Sequence, residues 1–251
     1  MKSQLNKKII ERFSRQIVLK DIGILGQRKI LLSKVLIIGA GGLGSPVAEF
    51  LSRAGIGSLG IVDDDKVSLS NLHRQNLYIT SDIGKFKVEI AKDKIKKINP
   101  NTRVTTYKIR LNNKNFKKII SDYDYVVDGS DNFTTKFLLN DFCLKFKKVL
   151  VTGSISKFDG HIFTFDFRNK KNPCLKCFFQ ESKISDDLLN CESEGILGTV
   201  AGIVGTIQAN EILKKILNIG IGLDGYIFIL DLLHLNFRKV KLKKRKNCFC
   251  K

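Results

Sequence analysis

The sequence predicts one α/β domain built on a mostly parallel β-sheet with helices on both faces. The first observation is a β-α-β pattern. An apolar run at residues 35–38 leads through a glycine-rich turn into a helical stretch with Pro46 in its first turn, and a second apolar run follows at residues 59–62. The second observation is that strand-like runs and helical patterns continue to alternate along the chain. This is the Rossmann-like arrangement, in which a nucleotide lies at the carboxyl ends of the strands.

The remaining elements follow in chain order. Residues 6–19 carry apolar side chains at helical spacing, which predicts an N-terminal helix. A basic amphipathic helix is predicted over residues 85–98, ending at Asn99-Pro100. Further strands are predicted at residues 104–109, 125–128, 148–151, 161–167, 226–231 and 236–241, and further helices at 114–120 and 195–217. The last helix is largely apolar, which predicts that it belongs to the core and not to a site.

Length and composition limit the class of protein. A chain of 251 residues with 43% hydrophobic and 27% charged residues can bury one full core, and no feature marks a second domain. We see no signal-peptide pattern, and the longest uncharged stretch is shorter than the about 20 residues that cross a bilayer. We therefore expect a cytoplasmic protein with no membrane partner. The net charge of +20 comes mostly from dispersed lysines, which argues against a specific nucleic-acid surface but suits an acidic protein partner.

The glycine turn is the first candidate ligand site. Gly39, Gly41, Gly42 and Gly44 allow the backbone to approach a phosphate, and the N–H groups that start the following helix supply partial positive charge. Asp63 follows the second strand, where a carboxylate accepts hydrogen bonds from a ribose. Taken alone, this pattern also fits an NAD-dependent oxidoreductase, which is the alternative interpretation.

The polar loop of residues 65–75 separates the two interpretations. Asp65, Asn71 and Arg74 bring a carboxylate, an amide and a guanidinium near the nucleotide phosphates, and Gln75 can support them through hydrogen bonds. Hydride transfer does not need such a set. Chemistry at the phosphates does need it, because negative charge accumulates on the phosphate oxygens.

With these motifs the chain resembles the E1-like activating enzymes, in particular the MoeB/ThiF/HesA group. The resemblance runs from RxxRQ at residues 12–16 through SNLxRQ at 70–75 and SDN at 130–132 to the terminal cysteines. It implies the ThiF/E1-like fold, in which antiparallel C-terminal strands extend the parallel sheet. It divides the single domain of residues 1–251 into N-terminal helices (1–33), a nucleotide-binding core (34–153), a crossover loop (178–194) and a C-terminal helix, strands and cysteine tail (195–251).

The resemblance also implies an activity. Its members use ATP and Mg2+ to adenylate the C-terminal glycine carboxylate of a ubiquitin-like sulfur carrier, MoaD-like or ThiS-like, and release pyrophosphate. The product serves molybdopterin or thiamine-thiazole synthesis. Because the chain has no room for a fused rhodanese domain, we expect the sulfur donor to be a separate protein.

Several residues take their expected roles from the resemblance. Arg15, the second arginine of RxxRQ, reaches the ATP site of a partner subunit, which implies a homodimer. Without the motif, a solvated arginine would be the default. The pattern G-x-x-K-V-E falls on Lys87 and not on Lys85, so Lys87 is expected to bind the ATP phosphates. Asp131 is expected to hold Mg2+, although it is also placed to cap the next helix, and Gly129-Ser130 replaces the usual Cys-Thr before it.

The cysteines complete the candidate set. Cys174 and Cys177 form a CxxC pair, and Cys248 and Cys250 form a CxC pair, which together suit a four-thiolate zinc site. Relatives have CxxC at both places, so the shorter second pair must bend more sharply, and free surface thiols are the alternative. Cys191 lies where some relatives form a sulfur-linked adduct with the carrier and others keep a cysteine without depending on it. The expected catalytic set is Arg15, Arg74, Lys87, Asp131 and Cys191.

Overall fold

The computed structural model describes residues 5–179, 195–248 and 250. Within these residues one eight-stranded sheet has the order β3-β2-β1-β4-β5-β6-β7-β8. The strands are β1 (Lys34–Ile38), β2 (Ser58–Val62), β3 (Arg103–Tyr107), β4 (Tyr125–Asp128), β5 (Val149–Ser156), β6 (Asp159–Asp166), β7 (Tyr226–Asp231) and β8 (Asn236–Lys241). Neighbours from β3 to β5 are parallel, and those from β5 to β8 are antiparallel. The predicted fold class is confirmed.

Helices cover both faces of this sheet. They are α1 (Lys7–Arg12), α2 (Ser14–Ile17), α3 (Gly23–Leu32), α4 (Gly44–Ala54), α5 (Lys87–Ile98), α6 (Asn113–Ile120), α7 (Phe133–Lys145), α8 (Leu175–Phe178) and α9 (Gly198–Leu217). Strand β1 shows how the two faces are filled: Val35 and Ile37 belong to a core shared with α3, α4, α5 and α9, whereas Leu36 and Ile38 belong to a core shared with α6, α7 and α8. Alternate side chains of a strand point to opposite faces, so a strand buried on both faces is apolar throughout.

The N-terminal helix differs from the prediction. Residues 6–19 form two short helices, α1 and α2, that meet at Phe13. The Phe13 side chain is only 2% exposed and packs against Gly55, where an added Cβ would lie 2.6 Å from the ring. Helical spacing alone cannot show this break, because it depends on a contact with a residue far along the chain.

The order of the parallel strands places the candidate site. Strand β1 lies between β2 and β4, so the chain leaves it in one direction towards β2 and returns on its other side at β4. Loops at such a reversal diverge and leave a crevice at the carboxyl ends of the strands. The turn after β1 and the loop after β4 meet there, and the Gly129 N–H donates to the Ile38 carbonyl oxygen over 2.8 Å. None of the helices in the described residues is both long enough and apolar enough to cross a membrane.

Candidate active site

A cavity of about 550 Å³ opens at the crevice between the carboxyl ends of β1, β2 and β4. This volume suits a nucleotide-sized ligand. Nine residues expected to bind the nucleotide line it: Gly39, Gly41, Gly42, Asp63, Asn71, Arg74, Gln75, Lys87 and Asp131. Gly44 and Arg15 are not among the lining residues, and Cys191 lies outside the described residues.

The glycine turn has two kinds of glycine. Gly39 has φ +84°, and an added Cβ would lie 2.8 Å from the Gly129 carbonyl oxygen, so a side chain is excluded there. Gly44 is likewise a packing residue, because its Cβ would lie 1.8 Å from the Gly39 oxygen. At Gly41, in contrast, the only neighbour among the described residues within 4 Å of an added Cβ is Gln75 Nε2, at 3.6 Å. Packing does not demand a glycine at Gly41, whereas the approach of a phosphate does.

Asp63 links the end of β2 to the glycine turn. Its Oδ2 accepts the Ala40 N–H over 2.7 Å, and its Oδ1 accepts the Asp65 N–H over 2.8 Å. Burial raises the pKa of the Asp63 carboxyl, although Lys87 and these two hydrogen bonds favour the ionised form. Each carboxylate oxygen has a second lone pair, so Asp63 can still accept from a ribose hydroxyl in the cavity.

Lys87 and Lys85 have different environments. Lys87 is 5% exposed, lies in the first turn of α5, and its Nζ pairs with Asp65 Oδ2 at 2.8 Å. Lys85 is exposed, and its Nζ lies 3.7 Å from Asp82 Oδ1. Of these two lysines, only Lys87 lines the cavity. Between them, the ammonium group available to a phosphate is therefore that of Lys87.

Arg74 and Gln75 are neighbours in the chain, and both line the cavity. Arg74 Nη1 donates to the Ser70 carbonyl oxygen over 3.0 Å and lies 2.8 Å from His73 Nε2, so the guanidinium is held without an acidic partner in these contacts. Gln75 is 3% exposed, and its Oε1 has no hydrogen-bond partner among the described residues. A buried acceptor without a donor is unusual and fits a site that receives a ligand N–H or O–H group.

Asp131 lies at the tip of the loop after β4. The cap of α7 is Asn132, whose Oδ1 accepts the Thr135 N–H over 2.8 Å, so Asp131 is not needed for capping. Its carboxylate is exposed, lines the cavity and accepts one hydrogen bond from Asn132 Nδ2 at 3.2 Å. A carboxylate on the open side of a phosphate site is a suitable ligand for Mg2+.

Two functional features were not predicted from the sequence. Asp128 is fully buried at the end of β4 and pairs with Lys136, which is 3% exposed. The signal for Asp128 was a carboxylate that ends an otherwise apolar strand, but its partner is not indicated by any motif. Helix α9 was expected to be core alone, yet Gln208 in it donates to the Asp128 carbonyl oxygen over 2.9 Å. The helix packs the core and also supports the site.

The structure brings together four cysteine sulfurs on the face of the sheet opposite to α4. The Sγ atoms of Cys174 and Cys177 are 3.9 Å apart, those of Cys174 and Cys248 are 3.5 Å apart, and those of Cys177 and Cys250 are 3.5 Å apart. All four residues are buried, which excludes the alternative of surface thiols. Zn–S bonds of about 2.3 Å in a tetrahedron give S···S distances of about 3.8 Å, so the shortened CxC pair still fits a zinc ion.

The thiols differ in their tendency to ionise. Burial, together with Cys177, raises the pKa of the Cys174 thiol, and burial raises the pKa of Cys250 to about 12. At Cys248, burial is outweighed by hydrogen bonds from the Cys250 backbone and from the neighbouring thiols, which lower its pKa. A group of buried thiols of this kind is poorly solvated without a cation.

Comparisons with known proteins identify the family of the chain. A profile of the ThiF family matches residues 13–251. The Drosophila virilis protein named adenylyltransferase and sulfurtransferase MOCS3 is 42% identical over 97% of this chain, which spans only 54% of that relative. The Thermus thermophilus sulfur carrier protein adenylyltransferase is 38% identical over 96% of this chain and 90% of its own length. Both relatives are named as adenylyltransferases, and this chain spans about half the length of the first.

A comparison with solved structures supports the fold. The crystal structure of E. coli MccB with ATP superposes with a TM-score of 0.82, covering 95% of this chain and 74% of that protein. At 21% identity this likeness concerns the fold alone. The family match covers nearly the whole sequence and agrees with the motifs that carried the resemblance. The chain belongs to the ThiF family.

Proposed function

We propose that this protein adenylates the C-terminal glycine carboxylate of a ubiquitin-like sulfur carrier with ATP and releases pyrophosphate. The observation that carries the proposal is that Arg74, Lys87 and Asp131 line one nucleotide-sized cavity next to the glycine turn. Two fixed cations and a carboxylate ligand for Mg2+ are what transfer of an AMP group needs, because charge accumulates on the triphosphate.

The chain's own residues position and stabilise the reactants. The carrier carboxylate oxygen attacks the α-phosphorus of ATP, forming the acyl–phosphate bond, while the α–β phosphoanhydride bond breaks and its electrons leave with pyrophosphate. No side chain has to act as nucleophile. The glycine turn and Asp63 hold the nucleotide, and Asn71 and Arg74 contact the phosphates. Lys87 neutralises the charge that moves onto the leaving group. Mg2+ bound by Asp131 would neutralise further phosphate charge when present.

The test is ATP–pyrophosphate exchange with purified protein, Mg2+ and one candidate carrier at a time. We expect exchange only with a carrier that ends in Gly-Gly, and the active carrier, MoaD-like or ThiS-like, assigns the pathway to molybdopterin or thiamine. Carrier with its terminal glycine removed is the control. Absence of exchange with every carrier, together with tight NAD binding, would contradict the proposal and favour the NAD-dependent oxidoreductase.

We further propose a homodimer in which Arg15 completes the partner's site. Arg15 is exposed on α2 and does not line the cavity of its own chain, so it has no role in that site as a monomer. An exposed apolar surface lies beside it, with Val18 70%, Ile24 55% and Leu25 75% exposed. Apolar side chains grouped in this way are typical of an interface, and a twofold axis would give each site one arginine.

Mixing two inactive variants tests this arrangement. We expect Arg15→Ala and Asp131→Asn proteins each to lose most exchange activity. After co-expression, random pairing should restore about one quarter of the wild-type rate, because half of the dimers contain one intact site out of two. Sedimentation velocity should show a dimer for each variant. If mixed dimers form but stay as inactive as the parents, Arg15 does not act across the interface.

The remaining expectations stay predictions. The zinc ion, the separate sulfur donor and the cytoplasmic location are expected from the sequence, and the four convergent cysteines support the zinc alone. Cys191 lies outside the described residues, so its proposed adduct with the carrier also rests on the sequence resemblance.

A further inference from the structure

A buried ion pair lies directly behind the loop that carries Asp131. Lys136 Nζ donates to Asp128 Oδ2 over 2.9 Å and to the Gly153 carbonyl oxygen over 2.7 Å. The Thr152 hydroxyl also donates to Asp128 Oδ2. The Ser130 N–H and hydroxyl both donate to Asp128 Oδ1, over 2.9 and 2.5 Å. One carboxylate therefore joins the end of β4, helix α7, strand β5 and the loop towards the cavity.

The backbone of the same residue is held from the other face of the sheet. Gln208 in α9 donates from Nε2 to the Asp128 carbonyl oxygen over 2.9 Å and to the Val151 carbonyl oxygen over 3.4 Å. Both the side chain and the backbone of Asp128 are thus fixed. Only Gly129 and Ser130 separate it from Asp131, and Ser130 is itself bonded to Asp128. Little freedom is left for the loop at the point where Asp131 meets the cavity.

A buried ion pair is by itself weak evidence for a stabilising role. Charged groups lose their hydration when buried, and an apolar pair of similar size serves a core equally well or better. Neither Asp128 nor Lys136 belongs to the set that contacts the phosphates in the proposed mechanism. The ion pair instead fixes the relative positions of the segments around it, because each of its hydrogen bonds holds one segment against the others.

We propose that Lys136 is a positioning residue that acts through Asp128 to hold Asp131 towards the triphosphate. The proposal rests on the proposed function, in which Asp131 binds Mg2+ at the phosphates. Lys136 also lines the cavity, but its Nζ already donates to Asp128 Oδ2 and to the Gly153 carbonyl oxygen. Its ammonium group holds the Asp128 carboxylate in place, and that carboxylate accepts hydrogen bonds from the Ser130 backbone and side chain. These contacts fix the orientation of the adjacent residue, Asp131.

A double-mutant cycle on exchange activity tests the proposal. We expect Lys136→Met to lower kcat about tenfold or more while KM for ATP changes less than about threefold, since the nucleotide contacts stay in place. The double variant Lys136→Met/Asp131→Asn should be no slower than Asp131→Asn alone, because two residues that act as one unit are not additive. Lys136→Arg, which keeps the charge, should recover most of the rate.

Controls separate positioning from loss of the fold. Lys145→Met removes an exposed lysine from the same helix and should leave kcat unchanged. Asp128→Asn/Lys136→Met removes both charges, so no buried charge is left unpaired. It should melt near the wild-type temperature yet show the same fall in kcat. A normal rate in this folded pair variant, or independent multiplying effects of Lys136→Met and Asp131→Asn, would overturn the inference. Inactive wild-type protein would instead reject the proposed function.

Discussion

Replacing Lys87 by methionine should lower kcat for ATP–pyrophosphate exchange by about 10²-fold to 10³-fold, the range for removal of one fixed electrostatic group from a transition state. Lys87 is only 5% exposed, so water screens the field of its ammonium group poorly. Folding should be little affected. Its partner Asp65 is 66% exposed and stays hydrated when left alone. The measurement is steady-state exchange with saturating carrier, together with the affinity for ATP by titration calorimetry.

Lys85→Met is the matched control for this prediction. Lys85 has the same charge and lies two positions earlier, but its side chain is 55% exposed and its ammonium group contacts Asp82 over 3.7 Å. We expect its exchange rate to stay within about twofold of wild type, as for most exposed salt bridges away from a site. If Lys85→Met lost activity and Lys87→Met kept it, the assignment of the phosphate-binding lysine would be wrong.

The pairing with Asp65 orders the Lys87 side chain before a nucleotide binds. The Lys87 N–H donates to the Asp65 carbonyl oxygen over 3.0 Å, and the ammonium group pairs with the carboxylate of the same residue. Both contacts join the start of α5 to the loop after β2. The side chain is therefore ordered without a ligand, and little entropy remains to be lost when a phosphate binds.

Three strands could be predicted from the sequence with their limits. The runs at residues 125–128, 226–231 and 236–241 coincide with β4, β7 and β8. Helix limits were less accurate, and α5 begins at Lys87 and not at residue 85. This difference matters, because the first helical residue turns towards the core and the cavity, whereas Lys85 stays in the exposed loop.

Motifs predicted residues that line the cavity because spacing along one loop is a local property. They could not predict contacts between distant segments. The Asp128–Lys136 pair depends on how α7 lies against β4, and the Gln208 contact depends on the packing of α9 across the sheet. The same limit made the CxC pair appear unfavourable, since its fit depends on the place of Cys174, which is 74 positions from Cys248 in the chain.

The cysteine cluster is where a bound zinc ion would have its greatest effect on stability. Cys174 directly precedes the short helix α8, and Cys177 lies within it. Cys248 and Cys250 lie at the end of the chain. All four belong to the core that also contains Phe163, and they connect the segment after β8 to that core. A zinc ion bound by four thiolates would cross-link the two segments, and its binding energy then adds to the free energy of unfolding.

Removal of zinc should therefore destabilise the protein by about 3 kcal/mol or more, which corresponds to a fall in Tm of about 6–12 °C for a domain of this size. The measurement is thermal melting before and after treatment with a strong chelator, with metal analysis showing one zinc per chain beforehand. The Cys248→Ser variant should have a lower Tm than the wild-type protein, and chelator should no longer change that Tm. Cys143→Ala, which removes a buried thiol outside the cluster, should still respond as fully as wild type. An unchanged melting curve of the wild-type protein in chelator would show that the four thiols do not bind zinc.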